Sequence, residues 1–229
     1  MGMINLVWPI LSVILISLLS FVGVLSLVFS YKLLDKILIF FVSFSAGGMI
    51  AGAFFHILPE SLEKTQSSLT VFFWTIVGFC LFFVLERVLR WHHCHQEECE
   101  THKHLGWLNL FGDGLHNLLD GMIVFAAFLS RPVLGIPVVL AIILHEIPQE
   151  LGDFGVLLYS GFSKKKALLY NFFSALLALA GVFLAYLLFL ADFSIEGILL
   201  PLAAGSFIYV AASDLIPELH KEEKLGKAI

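Results

Sequence analysis

The sequence predicts an all-α polytopic membrane bundle, and three observations carry that prediction. Of the 229 residues, 59% are hydrophobic and only 14% are charged, whereas soluble domains carry roughly 25% charged residues. The mean hydropathy is +0.96. Seven apolar segments each exceed the ~20 residues needed to cross the hydrocarbon core of a bilayer, and none shows the ten-residue alternation of a membrane barrel.

The first segment, 3–29, has no basic flank before it and no small-residue cleavage pattern. It is too long for a signal-peptide core and reads as a retained span. The polar break Tyr31–Lys36 precedes the second segment, 37–60, and Ser61–Ser68 precedes the third, 69–90. A polar stretch from His92 to His104 leads to the fourth segment, 107–130. Only Arg131-Pro132 separates it from the fifth, 133–160, so these two helices must be antiparallel neighbours. Ser163–Lys166 then introduces the sixth, 165–190, and Asp192–Glu196 the seventh, 195–219. The whole chain, 1–229, reads as a single transmembrane domain with a His-rich inner loop at 91–106.

Lys and Arg set the orientation, because cytoplasmic loops hold an excess of them. With the N-terminus outside, the inner segments hold Lys32, Lys36, Arg87, Arg90, Lys103, Lys164, Lys165, Lys166, Lys221, Lys224 and Lys227, which is 11 of the 13 basic residues. Only Lys64 and Arg131 fall on the other side. A plasma (inner) membrane of a bacterium or archaeon is the expected location. An internal repeat is also legible. Ala46-Gly47, His56, Pro59 and Glu60 recur as Ala204-Gly205, Asp214, Pro217 and Glu218, each offset by 158 residues. The second and seventh spans run in opposite directions, so the copies are inverted, as in alternating-access transporters. An arrangement of three helices, a central pair and three inverted helices requires an eighth span. The seven here imply either a truncation or a protein that lacks it.

Polar residues inside the fourth and fifth spans carry the chemistry. A charged side chain at mid-membrane costs about 2.5–3.5 kcal/mol, so Asp120, Glu146, Glu150 and Asp153 demand a counter-ion. His116 and Asp120 stack at i, i+4 with Asn117 beside them, and Asp113 lies one turn earlier, placed to orient the cluster or to hold a second ion. On the fifth span, His145 and Gln149 form one i, i+4 pair and Glu146 and Glu150 another, with Asp153 further on. Pro148 removes an amide hydrogen and frees the carbonyl of Leu144. Imidazole, carboxylate and amide oxygen suit Zn2+, and also Fe2+, Mn2+ or Cd2+. His56 and Glu60 on span two, with Asp214 and Glu218 on span seven, read as entrance and exit ligands or as polar helix ends. His92, His93, Cys94, His95, Cys99, His102 and His104 form a metal-collecting or regulatory loop whose spacing fits no zinc finger. The three cysteines do not form a disulfide framework.

GDGLHNLLDG (Gly112–Gly121) and HEIPQELGDFGVLL (His145–Leu158) resemble the fourth and fifth helices of the ZIP family of divalent-metal transporters. They are most similar to the branch reading HNFxDG and HEIPHELGD. The resemblance extends to SAGGM…HILPE, YNFFSALLALAG, AAG…DLIPE and the His-rich third loop. It implies a first metal site of His116, Asp120, His145 and Gln149, and a second of Asn117, Asp120, Glu146 and Gln149. Asp120 and Gln149 would bridge the two, and Met49 matches a methionine that contributes a soft ligand. Gln149 departs from the branch, which has His there, and from relatives with Glu. The sixth helix has no acid near Ala178, where some relatives supply one, and Glu150 is the residue placed to compensate.

The leading reading is therefore transport of a divalent metal, zinc first, toward the cytoplasm through a midplane site, with no catalytic residues. The alternative is an intramembrane zinc metallohydrolase, because HExxH on a helix binds zinc through two imidazoles. Here its second His is Gln149. A metal-sensing scaffold would account for the His loop but not for the buried carboxylates. The expected partners are divalent metal ions and the lipid bilayer, with no nucleic acid. The small-residue faces Ala46-Gly47-Gly48 and Ala203-Ala204-Gly205 serve either internal packing or a homodimer seam.

Overall fold

A computed structural model describes residues 6–25, 31–65, 67–91, 103–191 and 196–220. Helix α1 is Val7–Leu18, continued by a 3-10 segment Leu19–Val24. Helix α2 is Tyr31–Gly52 with a π-helical segment Ala53–Ile57 and a last stretch Leu58–Lys64. Then follow α3 (Ser68–Trp91), α4 (Lys103–Ser130) and α5 (Pro132–Tyr159). Helix α6 comprises Lys164–Ala175 and Leu177–Leu190. Helix α7 comprises Glu196–Val210, a π-helical segment Ala211–Leu215 and Ile216–His220. The described residues form an all-helical membrane bundle.

Two boundaries differ from the sequence reading. Tyr31–Lys36 is not a break but the first turns of α2, since Lys and Tyr are acceptable helix formers and only their polarity marked a membrane edge. Helix α2 also continues to Lys64, with Thr65 the first extended residue. Among the described residues, five helical stretches are long and apolar enough to cross a membrane by themselves, and α4 and α7 are not among them. Helix α4 carries the polar run Asp113 to Asp120, and the apolar part of α7 covers only Gly197–Ser213. Both are largely buried among the other helices, while large side chains such as Phe55, Leu69, Ile76 and Val133 face outward.

The inverted repeat is written in backbone geometry. The π segments Ala53–Ile57 and Ala211–Leu215 sit 158 residues apart, each just before its proline, Pro59 or Pro217. A proline ring clashes with the carbonyl four residues back, here Phe55 or Ser213, and widening one turn relieves the clash. The repeat reaches α1 and α6 as well. The α-helix of α1 gives way after Leu18, and α6 breaks at Leu176. Ser17 Oγ donates to the Ala175 carbonyl at 2.9 Å, a bond between residues 158 apart. A contact between equivalent positions lies on the local two-fold axis, so the symmetry passes through this bond.

The helices sort into two bodies. Helices α1, α4, α5 and α6 pack mainly on one another, and α2, α3 and α7 form a second group that meets the first where α2 lies along α5 and where α7 and α3 touch α4. Within each body, glycines allow backbone-to-backbone approach. A Cβ at Gly121 would overlap the Ala178 carbonyl and one at Gly181 the Leu118 carbonyl, locking α4 to α6. Gly78 and Gly205 do the same for α3 and α7. Ala203, Ala204 and Gly205 are thus used for packing inside the chain, whereas Gly47 has nothing within 4 Å of its Cβ position.

A polar clamp ties the bodies at the end where α4 turns into α5. Arg131, the one residue between them, is extended at φ −149°. Its Nε lies 3.0 Å from Glu60 Oε2 and its Nη2 pairs with Glu63. Ser130 Oγ donates to Glu60 Oε1 at 2.6 Å, and Lys64 Nζ to the Ser130 carbonyl at 3.3 Å. Glu60, read from sequence as an entrance ligand, is thus buried and bound to the α4–α5 corner.

Gly121→Val should lower thermal stability in detergent, with overpacking costing about 1–3 kcal/mol, while Gly47→Ala should leave the unfolding midpoint unchanged. Arg131→Gln removes the guanidinium from buried Glu60, which keeps Ser130 and Lys64, at a cost of about 1–3 kcal/mol. Adding Glu60→Gln should recover most of that loss, which a double-mutant cycle on the same unfolding assay will read.

Candidate metal centre

The corner at Arg131 fixes the register between α4 and α5. Because the two helices fold back about a single residue, positions equally far from Arg131 on either side face each other. Three rungs follow this rule. His116 Nε2 lies 3.4 Å from Glu146 Oε1, Gln149 Nε2 donates to Asp113 Oδ1 at 3.3 Å, and Asn109 Nδ2 donates to Asp153 Oδ1 at 2.9 Å. Successive rungs are three or four residues apart, about one helical turn or roughly 5 Å. The result is a polar ladder that runs from the middle of the hairpin to its far end.

The uppermost rung is the centre of the site. His116, Asp120, His145 and Glu146 each offer one ligand atom, all within 4.8 Å of one another. His116 Nε2 is 3.2 Å from His145 Nε2 and 3.6 Å from Asp120 Oδ2. His145 Nε2 is 3.4 Å from both Asp120 Oδ2 and Glu146 Oε1. Bonds of about 2.0–2.1 Å to a tetrahedral zinc place neighbouring ligand atoms about 3.3 Å apart. Five of the six separations, at 3.2–3.6 Å, are close to such a tetrahedron's edges. Asp120 Oδ2 and both Glu146 oxygens are buried with no hydrogen-bond partner among the described residues, and only the imidazoles stand within ion-pair distance of them.

The imidazoles are oriented for this role. His145 Nδ1 lies 3.0 Å from the Ala141 carbonyl, one turn back on α5. A carbonyl only accepts, so Nδ1 carries the proton and Nε2 turns its lone pair to the centre. Phe207 on α7 stands edge-on to His145 at 6.2 Å between ring centroids, and Phe82 on α3 stands edge-on to His116 at 5.2 Å. Two aromatic side chains of the second body therefore cover both histidines. Toward the Arg131 corner, Ile123, Val124, Val138 and Ile142 close the space with apolar groups.

Glu146 lies with His116, Asp120 and His145, and Gln149, which the resemblance implied as a ligand, has its amide on the next rung. There it donates to Asp113. Asn117 does the same, donating to Asp113 Oδ1 at 2.9 Å. The HExxH pattern of a zinc hydrolase is not met, because Gln149 replaces its second imidazole.

Other expected residues sit on the remaining elements or outside the described residues. Met49 is buried in the apolar core, and His56 is exposed within the first π segment. Asp214 and Glu218 occupy the matching stretch of α7, but their side chains lie outside the description. His92, His93, Cys94, His95, Cys99 and His102 lie outside the described residues, as does the side chain of His104. Sequence reasoning missed Asn171 on α6, which is fully buried and donates to Glu150. It missed Asn109 as well. Both are amides in apolar helices, the signal that had singled out Asn117.

A family model of ZIP zinc transporters matches residues 6–104 and 90–229. The chain belongs to the ZIP family. This ZIP chain is 32% identical over 200 residues to the zinc transporter ZIP13 of Pongo abelii, covering 80% of itself and 58% of that protein. It is 29% identical over 238 residues to the zinc transporter zipt-7.1 of Caenorhabditis briggsae, covering 78% of itself and 61% of that protein. The ZIP chain thus spans about three-fifths of the length of these relatives. It is an integral, multi-pass membrane protein.

Replacing a residue that merely orients a ligand costs about 10–100-fold in metal affinity, and losing a ligand costs at least as much. Zinc titration of the purified protein should therefore show a fall of about 100-fold for Glu146→Gln. Gln149→Ala, which removes no donor from the centre, should stay within about threefold of the parent.

Proposed function

We propose that this ZIP chain carries zinc across the membrane toward the cytoplasm, binding it at His116, Asp120, His145 and Glu146. The observation that supports this most directly is the set of four donor atoms, three on buried residues and one on half-buried His116, with five separations of 3.2–3.6 Å. The printed names of the relatives, zinc transporters from a worm and a mammal, agree with it. Fe2+, Mn2+ and Cd2+ share the same donor preferences and are secondary substrates in this reading.

Direction follows from the ladder. It descends from the centre toward the end of α5 that meets Lys164, Lys165 and Lys166. By the positive-inside rule that end is cytoplasmic, which puts the N-terminus outside and the Arg131 clamp on the outer face. Apolar packing and the clamp then seal the outer route while polar rungs line the inner one. All four ligands stand on α4 and α5, so the site belongs to one body. Movement of α1, α4, α5 and α6 against α2, α3 and α7 would withdraw Phe82 and Phe207 and open the site outward. His56 and Asp214, on the π segments of the other body, are placed as entrance and exit ligands, with Glu218 beside the latter and Met49 as an auxiliary soft donor. The loop at 91–106 collects or senses metal at the inner face. A plasma membrane location and a 1–229 transport unit complete the reading.

Zinc uptake into proteoliposomes tests it. The parent should accumulate zinc, and His145→Ala with Asp120→Ala should reduce uptake to that of empty vesicles. Undiminished flux in that double variant would remove the proposed pathway, and peptide hydrolysis without flux would favour the hydrolase instead.

A further inference from the structure

The end of the bundle where α4 and α6 begin carries positive charge that its neighbours leave unmatched. Lys164, Lys165 and Lys166 open α6, all three are exposed, and no acid shares that first turn. Among the described residues, no Asp or Glu stands within ion-pair distance of them. Basic residues at an inner membrane edge are common. What sets these apart is the surface that continues from one of them. Lys166, Tyr170, Phe173 and Leu177 follow at i, i+4, i+7 and i+11, which is a single stripe of α6. Trp107 and Phe111, one turn apart on α4, run beside it.

The two helices are held together along this seam. Trp107 packs on Tyr170 at 5.3 Å and on Phe162 at 5.5 Å between ring centroids. One turn further, Ser174 Oγ donates to the Leu110 carbonyl at 2.8 Å, and beyond it a Cβ on Gly114 would meet Leu177. Trp107, Phe111, Phe173 and Leu177 nevertheless stay 53%, 65%, 54% and 41% exposed. Along the seam the order is cation, amphipathic rings, apolar side chains. Lys166 and Phe173 are about 10 Å apart along the axis, and Leu177 lies about 16 Å from Lys166. A phospholipid has the same order: charged headgroup, interfacial glycerol, acyl chain.

We propose that this seam binds one anionic phospholipid of the inner leaflet. Its phosphate sits on Lys166, with Lys165 and Lys164 in reach, and an acyl chain lies along Trp107, Phe111, Phe173 and Leu177. Charge complementarity decides the occupant. A zwitterionic lipid brings its own cation and gains little from three lysines. A free phosphate gains little from the apolar seam, and an acidic protein segment has no reason to follow it into the hydrocarbon. Because α4 carries His116 and α6 carries Asn171, the lipid splints the base of two helices that build the metal centre. The orientation proposed above supplies only the name of the leaflet.

Native mass spectrometry of the full chain released from detergent reads the site, with phosphatidylglycerol and phosphatidylcholine of identical acyl chains in competition. One phosphatidylglycerol should be retained, with about tenfold preference over phosphatidylcholine. Lys166→Gln should remove most of that preference, and Lys164→Gln, about 200° around the helix from it, should keep most of it. Equal losses in the two variants would reduce the site to diffuse surface charge and overturn the proposal. Equal retention of both lipids by the unsubstituted protein would overturn it too, a result that needs no variant to fold. Displacement of phosphatidylglycerol by millimolar inorganic phosphate would also overturn it, by showing an anion site without a lipid. None of these readouts involves metal or flux. A failure of zinc uptake therefore strikes the transport reading alone, and a missing lipid preference strikes this proposal alone.

Discussion

Pairing α4 with α5 in one register is the constraint on which the rest of the molecule depends. Carboxylates and imidazoles in a membrane helix are costly one at a time. They become tolerable when the opposing helix supplies partners at every turn. A hairpin that pivots on one residue achieves this without a long loop to adjust. The rungs His116–Glu146, Asp113–Gln149 and Asn109–Asp153 all follow from that pivot. Slipping either helix by one residue would rotate its polar groups by about 100° and present them to apolar neighbours.

The remaining helices make this hairpin a site. Helix α6 approaches α4 at glycine contacts and brings Asn171 against Glu150. The second body contributes Phe82 and Phe207, which cover the imidazoles, and Glu60, which holds the Arg131 corner. Prolines at equivalent places in the two repeats enforce equivalent π segments. The symmetric framework therefore surrounds a centre that is itself asymmetric in donor chemistry.

Much of this was readable from the chain. Hydropathy gave the seven helices, because a segment of about 20 apolar residues has few other places to go. The Arg131-Pro132 joint gave the antiparallel pair, and i, i+4 spacing gave the polar stripes. Boundaries were less legible where charged residues continue a helix past the apolar core, as Tyr31–Lys36 does. The repeat was visible through Pro59 and Pro217 but not in α1 and α6, where geometry is shared without matching residues. Asn109 and Asn171 escaped notice because one amide in an apolar helix gains meaning only from the carboxylate opposite it.

By itself, the sequence determined the class of protein, the order of its helices and the pair that carries the polar ladder. These follow from local composition and period, which neighbouring residues alone can encode. Tertiary structure decided which side chains share one centre. It brought Glu146 beside His116, His145 and Asp120, turned the Gln149 amide to Asp113, made Glu60 a clamp, and left bare oxygens on Asp113, Glu150 and Asp153. Those outcomes depend on rotation of one helix about another and on rotamers chosen against distant neighbours. No stretch of sequence records either quantity.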